Sequence, residues 1–199
     1  MRQARKGRIA LLFADAAHFV HGGDYLGKIY GKTRRYVKTF SGRFRYNVLG
    51  VLNYISKKVT TITNETYITT SEVCELLRKL ALEYIGKPIF IILDNARYQR
   101  SFAVRDLARE LGIQLIFIPA YSPNINLIER MWKFVKTKLR SQYYSHFSDF
   151  IKEIDYIIDS TQGTEKVTID KLIGKGVQLF KNLEPITNNI YRVNNNKAS

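Results

Sequence analysis

Short apolar runs divide the chain into predicted strands. Residues 9–13, 89–93 and 113–118 are dominated by Ile, Leu and Phe and have the length of a strand that is buried on both faces. Residues 43–53 and 58–63 are rich in Val, Thr, Tyr and Leu, which also favours strands. The pattern therefore predicts five strands.

Four other segments repeat their apolar residues at the spacing of one helical face. They are residues 71–85, 101–111, 127–140 and 147–160. Thr69 or Ser71 can cap the first of these helices, and Gly86 follows its end. The single cysteine, Cys74, lies on the apolar face of this helix, so we expect it to be buried. A single cysteine also excludes an intramolecular disulfide and a multi-cysteine zinc site.

The order of these elements predicts the fold class. Three strands and a helix come first, and strand, helix, strand and helix follow. This order favours an α/β fold, with a mixed five-stranded sheet and helices on both faces. No apolar run approaches the roughly 18 residues of a membrane span, so we expect no contact with a membrane.

The charge of the chain indicates a polyanionic partner. Its 32 Lys and Arg and 17 Asp and Glu give a net charge of +15, which is typical of proteins that bind nucleic acids. From Tyr25 to Asn64 there are nine basic residues and no acidic one. They are Lys28, Lys32, Arg34, Arg35, Lys38, Arg43, Arg45, Lys57 and Lys58. A solvated sheet surface is the alternative, but this run favours contact with DNA phosphates.

Three acidic residues stand where predicted strands and a helix meet. Asp15 follows the first strand, Asp94 closes the strand at 89–93, and Glu129 lies in the first turn of helix 127–140. A single aspartate after a strand is most often a turn or cap residue. Because the carboxyl ends of neighbouring strands converge, however, we expect these three carboxylates to meet. Oxygen ligands of this kind suit Mg²⁺, and a pair of such ions can catalyse phosphodiester cleavage.

The helix that carries Glu129 has two distinct faces. Its predicted core stripe consists of Ile128, Met131, Trp132, Val135 and Leu139. Glu129, Lys133, Lys136 and Arg140 fall together on an adjacent face. That face either combines a metal ligand with phosphate-binding cations or is a solvated face with a weak Glu129–Lys133 ion pair.

The three acids lie in stretches that resemble a known family. The stretches are residues 11–19, 91–97 and 118–132, and the last contains Pro-Ala-Tyr-Ser-Pro-Asn-Ile-Asn-Leu-Ile-Glu-Arg-Met-Trp. Between Asp94 and Glu129 lie 34 positions, residues 95–128. These features resemble the DDE transposases of the mariner superfamily, and most closely its bacterial branch, the insertion sequence 630 family. The similarity covers residues 8–160 and includes a strand at 41–50.

The resemblance implies a fold, a reaction and a set of site residues. It implies an RNase H-like fold and a transposase that cuts and rejoins DNA with two Mg²⁺ or Mn²⁺ ions held by Asp15, Asp94 and Glu129. The DNA partners would be the transposon ends and a target containing a TA dinucleotide. Asn95 would orient Asp94 or contact the substrate, and Asn126 would cap the helix and help to set the angle of Glu129. The residues expected to contact DNA are Lys32, Arg34, Arg35, Lys38, Arg43, Arg45, Tyr121, Ser122, Asn124, Lys133, Lys136 and Arg140.

The expected domain organisation departs from that of the family. We expect a catalytic domain over residues 1–185 and a disordered tail over residues 186–199. Relatives carry N-terminal helix-turn-helix domains, whereas fourteen residues precede Asp15 here. The chain would then be the second reading frame of an element, joined to an upstream DNA-binding domain, or a truncated remnant.

The resemblance also implies a homodimer that acts in the bacterial cytoplasm, at the nucleoid. Two alternatives to a transposase remain open. One is a nuclease of the same fold that does not transpose, and the other is an inactive DNA-binding remnant.

Overall fold

The computed structural model describes residues 1–22, 44–119, 126–140 and 142–174. Its strands are β1 (Ala10–Val20), β2 (Arg45–Asn53), β3 (Val59–Asn64), β4 (Ile89–Leu93) and β5 (Ile113–Phe117). Its helices are α1 (Arg2–Arg5), α2 (Thr70–Glu83), α3 (Phe102–Glu110), α4 (Ile128–Lys138), α5 (Phe147–Ser160) and α6 (Lys166–Gly174), with a 3₁₀ helix at Arg97–Arg100.

The strands form one mixed sheet in the order β3-β2-β1-β4-β5. β1 pairs antiparallel with β2, and β2 pairs antiparallel with β3. β4 lies parallel to both β1 and β5. The registered pairs between β1 and β4 end at Phe13 and Ile92, although β1 itself continues to Val20. The predicted mixed five-stranded sheet is confirmed.

Alternate side chains of β1 enter two separate cores, because successive residues of a strand point to opposite faces of the sheet. Those packed with α4, α5 and α6 are Leu11, Phe13, Ala17 and Phe19. Those packed with α2 and α3 are Ala10, Leu12 and Ala14. Helices therefore cover both faces, as the order of elements predicted.

The first strand is longer than the sequence pattern predicted. The apolar run at 9–13 predicted a strand that ends before Asp15, but β1 spans 11 residues, Ala10–Val20. In its second half buried and more exposed side chains alternate, because only β2 continues beside it. The second half of the strand therefore has no continuous apolar run from which it could be predicted. Asp15 lies within the strand and not after it.

The other elements agree with the predicted ones to within a few residues, except for three that were not predicted. These are α1, the 3₁₀ helix and α6. Cys74 is half-buried and not fully buried as expected, because it lies at the margin of the α2 face that enters the core. Among the described residues, no helix has both the length and the apolar character needed to cross a bilayer.

A capping box fixes the start of α2. The Thr69 hydroxyl oxygen accepts a hydrogen bond from the Ser71 backbone N–H at 3.2 Å. The Glu72 carboxylate in turn accepts one from the Thr69 backbone N–H at 2.6 Å. Two backbone N–H groups that the helix leaves without partners are thereby satisfied. Of the two candidate caps, Thr69 is the one used.

We expect Thr69→Ala to lower the free energy of unfolding by about 1 kcal/mol, because the cap is lost. Urea denaturation followed by circular dichroism measures this change. Ser71→Ala is the matched control, since its hydroxyl is not the capping group. Equal losses in the two variants would contradict the assignment of the cap.

Candidate active site

Asp15 occupies a core-facing position of β1. It lies between Phe13 and Ala17 in the row of alternate side chains that faces α4, α5 and α6, and it is half-buried. Across the antiparallel pair its partner on β2 is Gly50. The Asp15 carboxylate therefore lies in a row of side chains whose neighbouring members, Phe13 and Ala17, are apolar.

Asp94 reaches the same edge of the sheet from β4. It is the first residue after the strand. Ile92 of β4 is the registered partner of Phe13 of β1, and each aspartate lies two positions beyond its member of this pair. Neighbouring strands run about 4.8 Å apart. One Asp94 carboxylate oxygen accepts a hydrogen bond from the Ala96 backbone N–H at 3.1 Å. Register and alternation thus direct both aspartates to one edge and one face.

Glu129 comes to this face on the first turn of α4, where it is exposed. Its helix packs on the core that Phe13 and Phe19 enter. The five core residues predicted for the helix, Ile128, Met131, Trp132, Val135 and Leu139, are all buried. That prediction is confirmed, and it includes the assignment of Trp132 to the core.

Asn126 does not cap α4 with its side chain, contrary to expectation. The N-cap residue is Leu127, which makes no side-chain capping hydrogen bond. The amide nitrogen of Asn126 instead donates to the Ala14 carbonyl at 2.9 Å, and the Asn126 backbone carbonyl accepts from the Glu129 N–H at 3.2 Å. Asn126 is 3% exposed. It therefore joins the start of α4 to β1, next to Asp15.

Asn95 does not donate a hydrogen bond to Asp94, and its contact with substrate stays a prediction. Its amide nitrogen donates to the Ile118 carbonyl and not to Asp94. The bond links the chain just after β4 to the chain just after β5. Asp94 is oriented by the backbone of Ala96 instead.

The three acids interact electrostatically. The pKa of the Asp15 carboxyl is raised from 3.8 to about 7, mainly by burial and to a smaller extent by the charges of Asp94 and Glu129. A hydrogen bond from the Ala16 backbone and the charge of Lys136 act in the opposite direction. Burial and the charge of Asp94 also raise the pKa of Glu129. Like charges that gather in this way favour either protonation or a bound cation.

Among the described residues, these carboxylates do not form a complete set of metal ligands. Within the described ranges, no three His, Cys, Asp or Glu side chains are arranged so that together they could hold a metal ion. Both aspartates are half-buried and Glu129 is exposed. The aspartates are held by their strands, whereas an exposed glutamate side chain can change rotamer.

The predicted DNA-contacting residues that the structure describes are all exposed. Lys133 and Lys136 lie on α4, Arg140 follows it, and Arg45 begins β2. The Lys136 amino group lies 5.8 Å from the centroid of the Phe19 ring. The predicted contacts Lys32, Arg34, Arg35, Lys38, Arg43, Tyr121, Ser122 and Asn124 lie outside the described residues, as does the predicted tail.

Two residues near the acids were not predicted. Tyr98 is half-buried, and burial together with the charges of Asp94 and Asp15 raises the pKa of its phenol to about 12. Its position four residues after Asp94 was the only sequence signal. Gly50 lies opposite Asp15, and a glycine inside a predicted strand is the signal that would have identified it.

The pKa of Asp15 predicts how stability changes with pH in metal-free protein. Between about pH 4 and about pH 7 the folded chain retains a proton on Asp15 that the unfolded chain has released. The free energy of unfolding should therefore fall as the pH rises through this window and level off above it. Asp15→Asn should remove most of this dependence. Urea midpoints at pH 5 to 8 in EDTA test this, and parallel curves for parent and variant would contradict it.

The fold agrees with that of known proteins. The family model described as DDE superfamily endonuclease matches residues 10–151. Comparison with curated proteins gives no match. The Mos1 mariner paired end complex with Mn matches at a TM-score of 0.64 and 16% identity, covering 87% of this chain and 55% of that chain. The catalytic domain of Mos1 mariner transposase matches at a TM-score of 0.59 and 14% identity, covering 87% of this chain and 82% of that chain. A simian T-cell lymphotropic virus intasome matches at a TM-score of 0.55 and 19% identity, covering 77% of this chain and 48% of that chain.

These likenesses confirm the RNase H-like fold of transposase and integrase catalytic cores. The chain spans about half the length of the chains from the two complexes, at 55% and 48%. The family match covers most of the chain and includes Asp15, Asp94 and Glu129. The chain belongs to the DDE superfamily endonucleases.

Proposed function

We propose that this chain is the catalytic domain of a DDE transposase of the mariner type, and that it belongs to the bacterial insertion sequence 630 family. Its reaction would be metal-dependent cleavage of a DNA strand, followed by attack of the new 3′-hydroxyl on target DNA. One observation supports this most strongly. Asp15 and Asp94 share one edge and one face of the sheet, and the charges of Asp94 and Glu129 raise the pKa of Asp15.

The donor set fits Mg²⁺ or Mn²⁺. It consists of carboxylate oxygens, the ligands that these hard cations take, and a cation relieves the repulsion that favours a proton on Asp15 at neutral pH. Asp15, Asp94 and Glu129 would hold two ions. Bound as a pair, the ions would supply activation of the attacking oxygen and stabilisation of the leaving oxygen. Holding them requires a change in the exposed Glu129 side chain, since the described residues form no complete ligand set.

Other residues of this chain would bind and orient the DNA. Lys133 and Lys136 follow Glu129 along α4, Arg140 lies just after the helix, and Arg45 begins the strand next to β1. Cations so placed bind phosphates without reading sequence. The phenol of Tyr98 remains protonated at neutral pH because its pKa is about 12. It can therefore donate a hydrogen bond to a phosphate oxygen near the two aspartates.

Recognition of the transposon ends would require more than this domain. The chain spans about half of the Mos1 chain in the complex with Mn. We propose that an upstream DNA-binding domain reads the terminal inverted repeats and that two copies act together at the paired ends. The basic run that includes Lys32, Arg34, Arg35, Lys38 and Arg43, and the loop of Tyr121, Ser122 and Asn124, would contact the ends and the TA-containing target.

Asp94→Asn should reduce DNA cleavage and strand transfer by at least about 100-fold, because a ligand carboxylate is lost. The assay uses labelled transposon-end duplex, a plasmid target and Mg²⁺ or Mn²⁺, with EDTA as the blank. It is run with this chain and with the same chain fused to an N-terminal DNA-binding domain.

Asp106→Asn is the matched control, because Asp106 is an exposed aspartate of α3, which packs on the opposite face of the sheet. An Asp94→Asn variant that cuts as well as the parent would overturn the proposed function. Cleavage of end DNA without joining by the parent would favour the non-transposing nuclease.

A further inference from the structure

Gly50 permits a contact between β2 and α4 that no other residue would permit. A Cβ atom at this position would lie 2.5 Å from both Cη2 and Cζ2 of Trp132 and 3.2 Å from Cδ1 of Ile128. Carbon atoms pack at about 3.5–4.0 Å. The indole ring therefore lies directly on the backbone of the strand, where a side chain at position 50 would otherwise stand.

The contact joins a neighbour of each of two proposed ligands. Gly50 is the cross-strand partner of Asp15. Trp132 is three residues after Glu129 on α4, so that their side chains lie one turn apart. Trp132 is 4% exposed, and Phe19 of β1 contacts it edge-on with ring centroids 6.4 Å apart. The indole ring thus contacts both β1 and β2, and it belongs to the same helix as Glu129.

A second contact fixes the preceding turn. The Asn126 amide donates to the Ala14 carbonyl at 2.9 Å, and Ala14 is the residue before Asp15. α4 is therefore attached to the sheet at two neighbouring points, one on each strand of the β1–β2 pair. The bond at Ala14 fixes where the helix begins, and the bare backbone at Gly50 sets how closely the helix approaches the sheet.

We propose that the Gly50–Trp132 contact sets the distance between Glu129 and the two aspartates, which makes Gly50 a positioning residue of the reaction. This inference rests on the proposed function. A methyl group at position 50 would have to move the indole ring, and α4 with it, by about 1 Å to restore ordinary packing. A displacement of that size at a reacting centre can reduce the rate by about 100-fold.

Three variants of the full chain test the contact: Gly50→Ala, Trp132→Phe and the double variant. Phenylalanine lacks the two ring atoms that meet the added methyl group and keeps an aromatic ring against Phe19. The readouts are the cleavage rate as a function of Mn²⁺ concentration and the thermal midpoint. Gly163→Ala is the matched control, since its nearest atom would be the Ser160 carbonyl oxygen at 3.9 Å.

We expect Gly50→Ala to lower the cleavage rate and raise the half-saturating Mn²⁺ concentration, each by at least about 10-fold. The double variant should recover most of both losses, and Gly163→Ala should match the parent. A folded Gly50→Ala with the parent's rate and Mn²⁺ dependence would overturn the inference, as would a double variant no better than the single one.

If Gly50→Ala does not fold, the thermal midpoint of the double variant tests the proposed contact instead. Recovery of folding together with the parent's Mn²⁺ dependence supports the contact, and a double variant as unfolded as Gly50→Ala overturns it. The proposed function fails separately, when the parent itself does not cleave DNA or Asp94→Asn cleaves equally well.

Discussion

Burial of a carboxylate in an otherwise apolar row is the constraint on which the site depends. Phe13 and Ala17 flank Asp15 on its face of β1, and its pKa is raised to about 7, mainly by burial. The charges of Asp94 and Glu129 act in the same direction. Most other buried positions are apolar, and their packing offsets the cost of burying this group. Burial and like charges therefore favour a proton or a bound cation at the site.

The arrangement of the helices follows from the same constraint. α2 and α3 close the far face of the sheet, while α4 lies on the face to which Asp15 and Asp94 are directed. α4 buries one stripe and leaves Glu129, Lys133 and Lys136 exposed. A single helix thus supplies packing, negative charge and positive charge at one edge. Its placement rests on Asn126 and Gly50, neither of which is ionisable.

The sequence predicted the strands and the long helices well, because apolar runs and helical periodicity report directly on burial. It stopped β1 too early, since beyond Phe13 the strand has a neighbour on one side only and its burial alternates. Asp15, Asp94 and Glu129 were proposed as ligands from the sequence, but the contacts that position their elements were not predicted. The Asn126–Ala14 bond joins residues 112 positions apart, and the Gly50–Trp132 approach depends on how a helix packs on a sheet. A glycine inside a predicted strand indicates a close approach at position 50, but no local pattern identifies Trp132 as its partner or reveals the Asn126–Ala14 bond.

The unequal lengths of β1 and β4 have a consequence for the shape of the sheet at the acids. β1 continues to Val20, while its ladder with β4 stops at Phe13. From Ala14 to His18, β1 still pairs with β2, which there pairs with β3. The Asn126 amide donates to the Ala14 carbonyl, at the first residue beyond the β4 ladder. Asp15 and Asp94 therefore lie where the described sheet narrows from five strands to three, at a step made by the ending of a strand.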